Sequence, residues 1–82
     1  MIVYADESVA DLAAIEKTDG RAAMLMLFRC CEELAEPAIR LQAVRLGGDT
    51  FRLRVGNFNI VFELEESSSG DQVKILRVRP RR

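Results

Sequence analysis

Residues 51–66, FRLRVGNFNIVFELEE, constrain the fold of this chain more than any other segment. Apolar and polar residues alternate on both sides of Gly56-Asn57, which is the pattern of two half-buried strands joined by a two-residue loop. Such a loop favours a primed turn, and the turn fixes the strand register. The predicted pairs are Val55–Phe58, Leu53–Ile60 and Phe51–Phe62 on the core face, and Arg54–Asn59 and Arg52–Val61 on the other face.

The chain around this hairpin is long enough for one small domain. Its 82 residues are 49% apolar, which is sufficient for a packed core and argues against wholesale disorder. We therefore predict that residues 1–82 form a single domain. A core of this size is commonly supplemented by oligomerisation or by a bound partner.

Hydrophobic periodicity predicts two helices before the hairpin and a strand after it. Asp6 or Ser8 can cap the first helix, and the second helix starts near Arg21 and is stopped by Pro37. The other predicted elements are an edge strand at residues 2–4, a short strand or extended connection at residues 41–46, and a last strand at residues 73–78. This order predicts an α+β fold: β-α-α, then a three- to four-stranded antiparallel meander, with the helices on one face of the sheet.

Two apolar runs leave alternatives open. Residues 22–28 of the second helix are apolar all the way round. That helix is therefore either fully covered by the sheet and the first helix, or it also carries a homodimer face or a groove for a partner. In the last strand, the adjacent Ile75 and Leu76 indicate a central strand buried on both faces, or a β-bulge.

The residue types present exclude several kinds of site. The chain has no histidine, and its two cysteines, Cys30 and Cys31, are helix neighbours that point apart. We therefore predict no disulfide framework, no metal site and no cofactor. The N-terminal residues lack the features of a signal peptide, and the longest apolar run, seven residues, is too short to span a bilayer. These features predict a cytoplasmic protein with no membrane partner.

Charge is distributed unevenly along the chain. Residues 1–36 carry eight acids and three bases, a net charge of −5, whereas residues 37–82 carry nine bases and five acids, a net charge of +4. The basic half contains Arg52 and Arg54, and the last strand adds Arg77 and Arg79 if they emerge on the same face. Either this face holds an anion such as a phosphate backbone, or it is the solvated face of an ordinary sheet.

The order and spacing of these segments resemble the RelE/ParE superfamily of bacterial toxins. The resemblance is carried by the helix ending EELAEP, by the run VRLGGDTFRLRVGNFNIVFELEE and by the last segment VKILRVRPRR. It covers nearly the whole chain and implies the toxin component of a type II toxin–antitoxin module. The implied partners are a cognate antitoxin protein and messenger RNA on the ribosome.

In members that cut messenger RNA, basic residues on the open sheet face hold the scissile phosphate while the 2′-hydroxyl attacks in line. Arginine suits this role because its planar fork binds phosphate oxygens in pairs. By position, the resemblance implies catalytic roles for Arg52, Arg54 and Arg81, with Arg79 replacing Arg81 if the register slips at Pro80. The implied RNA-binding residues are Arg45, Arg77, Arg79 and Asn59.

Two departures from the family pattern keep other functions open. Asn59 stands where many members carry an arginine, and asparagine donates a hydrogen bond without a charge. Active members often have a tyrosine beyond the last strand, whereas the single tyrosine here is Tyr4. The alternatives are a ParE-like inhibitor of DNA gyrase and a non-catalytic member that only binds an antitoxin.

Overall fold

A five-stranded mixed sheet with helices packed on one face is formed by residues 1–81, the part of the chain that this computed structural model describes. The elements are β1 (Ile2–Tyr4), α1 (Asp6–Asp19), α2 (Arg21–Glu33), α3 (Pro37–Arg40), β2 (Val44–Gly47), β3 (Thr50–Val55), β4 (Phe58–Glu65) and β5 (Gln72–Pro80). The strand order is β1-β5-β4-β3-β2. The α+β fold and the antiparallel meander, β2 to β5, are confirmed.

The hairpin of β3 and β4 has the predicted register. The pairs Val55–Phe58, Leu53–Ile60 and Arg54–Asn59 all occur as expected. Gly56, the first loop residue, has a φ of 57°, which is the left-handed backbone conformation that a primed turn requires. Arg52 and Arg54 therefore lie on the sheet face opposite the buried Leu53 and Ile60.

The last strand is an interior strand with a β-bulge, but it is not buried on both faces, because Lys74 and Arg79 are exposed. β1 pairs with it in parallel, with Ile2 opposite Val73, and β4 pairs with it on the other side. Phe62 pairs with Ile75 but Val61 pairs with Arg77, so Leu76 is the extra residue of the bulge. The bulge explains how Ile75 and Val78, three residues apart, both reach the core.

The connection after α2 differs from the prediction. Helix α2 ends at Glu33, and Pro37 begins α3 because proline is tolerated in the first turn of a helix. Arg40 in α3 donates hydrogen bonds to the backbone oxygens of Leu34 (2.8 Å) and Ala35 (3.1 Å) and pairs with Asp71 (2.7 Å). A nearly buried arginine thus ties the end of α2 to the start of β5.

The core lies between the helices and one sheet face. Its buried side chains are Leu12, Ile15, Leu27, Cys31, Leu34, Leu53, Ile60, Phe62, Val73, Ile75 and Val78. Helix α2 contributes Leu27 and Cys31 to this core, yet Leu25, Met26 and Phe28 on its other side remain 47%, 44% and 41% exposed. Among the described residues, no helix has the length and apolar character needed to cross a membrane.

Candidate anion-binding face

A row of three polar residues crosses the open face of the sheet. Arg54 on β3 pairs with Asn59 on β4, and Asn59 pairs with Arg79 on β5. Neighbouring strands lie about 4.8 Å apart, so the two outer backbones are separated by roughly 10 Å. Arg54 and Arg79 are exposed, whereas Asn59 is half-buried between them. Two arginines thus flank one asparagine on three neighbouring strands, which concentrates positive charge on this part of the open face.

Arg52 occupies the adjacent row and is partly covered. It lies between Val44 on β2 and Val61 on β4, and it is half-buried. Its Nε is buried and has no hydrogen-bond partner among residues 1–81, and the same is true of Oδ1 of Asn59. Buried polar groups are usually paired, and leaving one unpaired costs about 1–3 kcal/mol.

Arg77 has a partner within the protein. Its Nε donates to Oδ2 of Asp11 (2.8 Å) and its Nη2 donates to Oδ1 (3.0 Å), which is a bidentate pair between β5 and helix α1. The backbone N–H of Val78 donates to the same carboxylate (2.9 Å). β1 pairs with β5 only as far as Ile75, and Asp11 accepts the hydrogen bond of a backbone N–H that lies beyond that point. The carboxylate also compensates the charge of Arg77, whose predicted contact with RNA stays a prediction.

The environment of Asp11 favours its charged form. Partial burial raises the pKa of this carboxyl, but the hydrogen bonds from Arg77 and Val78, together with the positive charges of Arg77 and Arg79, outweigh burial and leave the pKa below its ordinary value of 3.8. Asp11 is therefore ionised at neutral pH and cannot act there as a general acid.

We expect Asp11→Asn to lower the melting temperature by several degrees at neutral pH, because the amide keeps the shape of the carboxyl but loses its charge. Asp11 has a lower pKa in the folded protein than in the unfolded chain. Its stabilising contribution is therefore complete above pH 3.8 and is lost as the pH falls through the folded value. Thermal unfolding followed by circular dichroism across that range should show the two proteins converging in acid.

Asp49→Asn in the exposed turn between β2 and β3 is the matched control for that substitution, since the same chemical change there should leave the melting temperature unchanged. A melting temperature of Asp11→Asn equal to that of the parent at neutral pH would show that the pair with Arg77 does not stabilise the fold.

Arg45 lies on the other side of the sheet from Arg52 and Arg54. It pairs with Phe51, whose side chain packs against the core, and its Nε donates to the backbone oxygen of Gly48 (2.7 Å). It lines a cleft of about 370 Å³ together with Leu64, Glu65 and other residues of that end. The structure therefore separates Arg45 from the arginine row.

Arg81 lies one residue beyond β5, at the end of the sheet where the hairpin turns. Its backbone N–H donates to the oxygen of Asn57 (2.8 Å). It lines an open cleft of about 510 Å³ with Asp19, Phe58 and Pro80. Because Pro80 pairs with Phe58, the backbone of Arg81 lies directly beyond the row of Arg54, Asn59 and Arg79, and the cleft that Arg81 lines reaches Asp19 of α1.

Tyr4 lies on the helix side of the sheet, opposite the arginine face. It stacks on Phe28 of α2, with ring centroids 5.6 Å apart, and its hydroxyl donates to Glu32. Burial raises the pKa of Tyr4 strongly, and the hydrogen bond to Glu32 raises it further. The phenol therefore stays protonated, and its contacts attach β1 to helix α2.

The open face formed by the described strands consequently offers charge and hydrogen bonds, and its side chains include neither histidine nor cysteine. Arg52, Arg54 and Arg79 are permanent cations, and Asn59 is neutral. Two carboxylates of β4, Glu63 and Glu65, lie on the same face beyond Val61; Glu63 is opposite Lys74 and Glu65 is opposite Gln72. Within residues 1–81, no group of three or more His, Cys, Asp or Glu side chains gathers as metal ligands would. Such a face can bind and orient a phosphate and stabilise added negative charge.

Sequence reasoning missed Asp11 and Lys74 as neighbours of the arginine face. Asp11 is 66 positions from Arg77, and an acid in a helix gives no local signal of such a contact. Lys74 lies before the bulge, which changes the face that each later residue of β5 occupies.

The layout of helices and sheet is that of a RelE/ParE-like toxin fold. A solved structure with the same fold is a YoeB/ParE toxin from Agrobacterium tumefaciens, which superimposes with a TM-score of 0.65 at 18% identity, over 96% of each chain. A likeness at this identity shows a shared fold, so the predicted resemblance is confirmed at that level. No protein-family model matches the sequence, and no curated protein matches it.

Proposed function

We propose that this chain is the toxin of a type II toxin–antitoxin module and that it cuts messenger RNA on the ribosome. The observation that carries the proposal is the row of Arg54, Asn59 and Arg79, with Arg52 beside it, on a sheet face that the core does not use. The proposal places the protein in the cytoplasm, where it meets ribosomes and a cognate antitoxin.

In the proposed mechanism, Arg52 and Arg54 bind the non-bridging oxygens of the scissile phosphate. The 2′-oxygen attacks phosphorus in line, the bond from phosphorus to the 5′-oxygen breaks, and the products are a 2′,3′-cyclic phosphate and a free 5′-hydroxyl. The attacking hydroxyl loses its proton to solvent and the leaving oxygen takes one from solvent, because arginine does not exchange protons near neutral pH. The added negative charge at phosphorus is stabilised by arginines already in place.

Asn59 and the remaining basic residues have positioning roles in this proposal. The amide of Asn59 lies between the two exposed arginines and orients the RNA backbone through a neutral hydrogen bond. Arg79 and Arg81 hold the phosphates next to the scissile one, and Arg81 joins the catalytic pair when RNA fills the cleft beside Pro80. Arg77 contacts RNA only through the part of its side chain that Asp11 leaves accessible, and Arg45 serves a different side of the protein.

The proposal predicts messenger cleavage that depends on ribosomes. We expect induced expression of the chain alone to arrest bacterial growth and to produce new messenger ends, mapped by primer extension within translated regions. Purified protein should cut a messenger in a reconstituted translation mixture and leave the same messenger intact when ribosomes are omitted. Normal growth and an intact messenger, with the folded protein present, would overturn the nuclease proposal.

Inhibition of DNA gyrase is the second candidate, and one observation favours it. Asp11 compensates Arg77, and Asn59 brings no charge, so the face carries fewer free cations than the sequence suggests. A gyrase inhibitor does not require the nuclease residues. Loss of supercoiling by purified gyrase, without messenger cleavage, would select this candidate, whereas antitoxin binding with no effect on growth would indicate a non-catalytic member.

A further inference from the structure

A stripe of four residues on the exposed side of α2 combines apolar and charged groups. Arg21, Leu25, Phe28 and Glu32 recur at intervals of four, three and four, so they follow one side of the helix. The buried residues of α2, Leu27 and Cys31, lie on another side. Leu25 and Phe28, at the centre of the stripe, are 47% and 41% exposed. We call these four residues the α2 stripe.

Tyr4 holds half of the α2 stripe in place. Its ring stacks on Phe28 with an angle of 19° between the planes, and its hydroxyl donates to Glu32. Phe28 and Glu32 are therefore fixed before any partner arrives, which reduces the entropy that binding would cost. Arg21 has only a long contact with Glu16 (3.8 Å) between exposed side chains, and such a pair is easily exchanged.

We propose that the α2 stripe is a homodimer interface in which α2 packs antiparallel against α2 of a second copy. The midpoint of Leu25 and Phe28 is also the midpoint of Arg21 and Glu32. A two-fold axis at that point places Leu25 against Phe28 of the partner subunit, and Arg21 against Glu32 of the partner subunit, twice each. The stripe is thus complementary to itself, as an interface between two identical surfaces must be.

The charge order along α2 supports a second copy as the occupant. Arg21 begins the helix and Glu32 and Glu33 end it, with no acid in the first turn and no base in the last. This order is unfavourable for a single helix, because the helix dipole favours acids at its start and bases at its end. An antiparallel copy brings the partner's acids to the start of α2 and the partner's base to its end. The charge order of α2, which is unfavourable in a single copy, is therefore compensated by the opposite charges of the second copy in the dimer.

The position of α2 makes such a dimer compatible with an open arginine face. The helices cover one face of the sheet, and Arg54 and Arg79 are exposed on the other. Two copies joined through α2 leave both arginine faces accessible. The dimer would also enlarge the apolar contact area of a small domain. It does not rest on the proposed nuclease activity.

Sedimentation velocity of the purified full-length chain tests the interface. We expect the wild-type protein to sediment as a dimer of the 9.2 kDa chain at micromolar concentration. Leu25→Glu should raise the dimer Kd by more than about 100-fold, because it places a charge at the centre of the apolar contact. Leu41→Glu, at a side chain that is 86% exposed and outside the α2 stripe, is the matched control and should leave Kd unchanged.

Charge reversal then tests the antiparallel register. Arg21→Glu and Glu32→Lys should each raise Kd by about tenfold, because each homodimer then holds two like-charge pairs. Mixing the two variants should restore dimerisation, since both contacts in the mixed dimer are of opposite charge. Tyr4→Phe controls for the lost hydrogen bond to Glu32. A monomeric wild-type chain, a dimer that survives Leu25→Glu, or no rescue on mixing would overturn the proposal.

Discussion

Replacing Arg52 and Arg54 together by alanine should abolish messenger cleavage and relieve growth arrest without unfolding the protein. Both side chains lie on the open face, opposite residues that face the core, so their removal leaves the packed side of the sheet unchanged. Removing one donor to a developing negative charge typically lowers the rate by about 10²–10³-fold. Because the two arginines act on one phosphate, we expect a combined loss of at least about 10³-fold, short of full additivity.

Three measurements are needed for this double variant: primer extension, the growth curve after induction, and the thermal unfolding transition. Arg29→Ala, an exposed arginine on α2, is the matched control and should keep cleavage and toxicity. A folded double variant that still cuts messenger RNA would contradict the assigned roles. Loss of the thermal transition would show instead that the pair is structural.

Leu27→Ala should destabilise the protein strongly, whereas Leu41→Ala should have almost no effect. Leu27 is fully buried between α2 and the sheet, and Leu41 after α3 is 86% exposed. Truncating a buried leucine costs about 2–5 kcal/mol, because the cavity closes only in part. An exposed substitution usually stays within about 0.5 kcal/mol. Small domains have a total stability of only about 5–15 kcal/mol, so the first loss is a large fraction of the whole.

Urea unfolding followed by circular dichroism separates the two leucine variants. The midpoint for Leu27→Ala should fall while the slope stays unchanged, which indicates lost stability and not a changed unfolded state. Equal midpoints for both variants would mean that α2 does not pack on the sheet as the structure describes. The experiment should be run well below the concentration at which the proposed dimer would form, so that dissociation does not add to unfolding.

The hairpin could be predicted from the sequence because its information is local. Alternation assigns each residue of β3 and β4 to a face, and the Gly56-Asn57 loop fixes which residues are opposite one another. The placement of Arg52 and Arg54 on the open face followed from that register alone. The same reasoning left two possibilities for the adjacent Ile75 and Leu76, and the structure shows an interior strand with a bulge.

The pairing of β1 with β5 and the extent of α2 were not predicted. A strand of three residues carries too little pattern to indicate its neighbour or its direction. The predicted end of α2, just before Pro37, was too late, because the helix ends at Glu33. Proline is compatible with two arrangements: it disfavours helical backbone in the residue before it, and it is also favourable in the first turn of a new helix.

The candidate site was predictable only where it lies on the hairpin. Arg45 is on the core side because β2 pairs with β3 through a register shift between Arg45 and Gly47, and four residues do not reveal such a shift. The pairing of Arg77 with Asp11 depends on how α1 lies along the edge of β5. Charge counting along the sequence therefore overstated the free positive charge of the open face.

The parallel pairing of β1 with β5 links folding to the direction of synthesis. Residues 2–4 leave the ribosome about 70 residues before residues 73–75, which are their sheet partners. Such long-range contacts form late, because the intervening loop must close before they stabilise anything. The same strand, β5, also carries Arg79, and its pairing with β4 places Arg79 beside Asn59 in the arginine row. A nascent chain still lacking β5 therefore has neither the strand that joins β1 to β4 nor a complete arginine row, and both require the synthesis of β5.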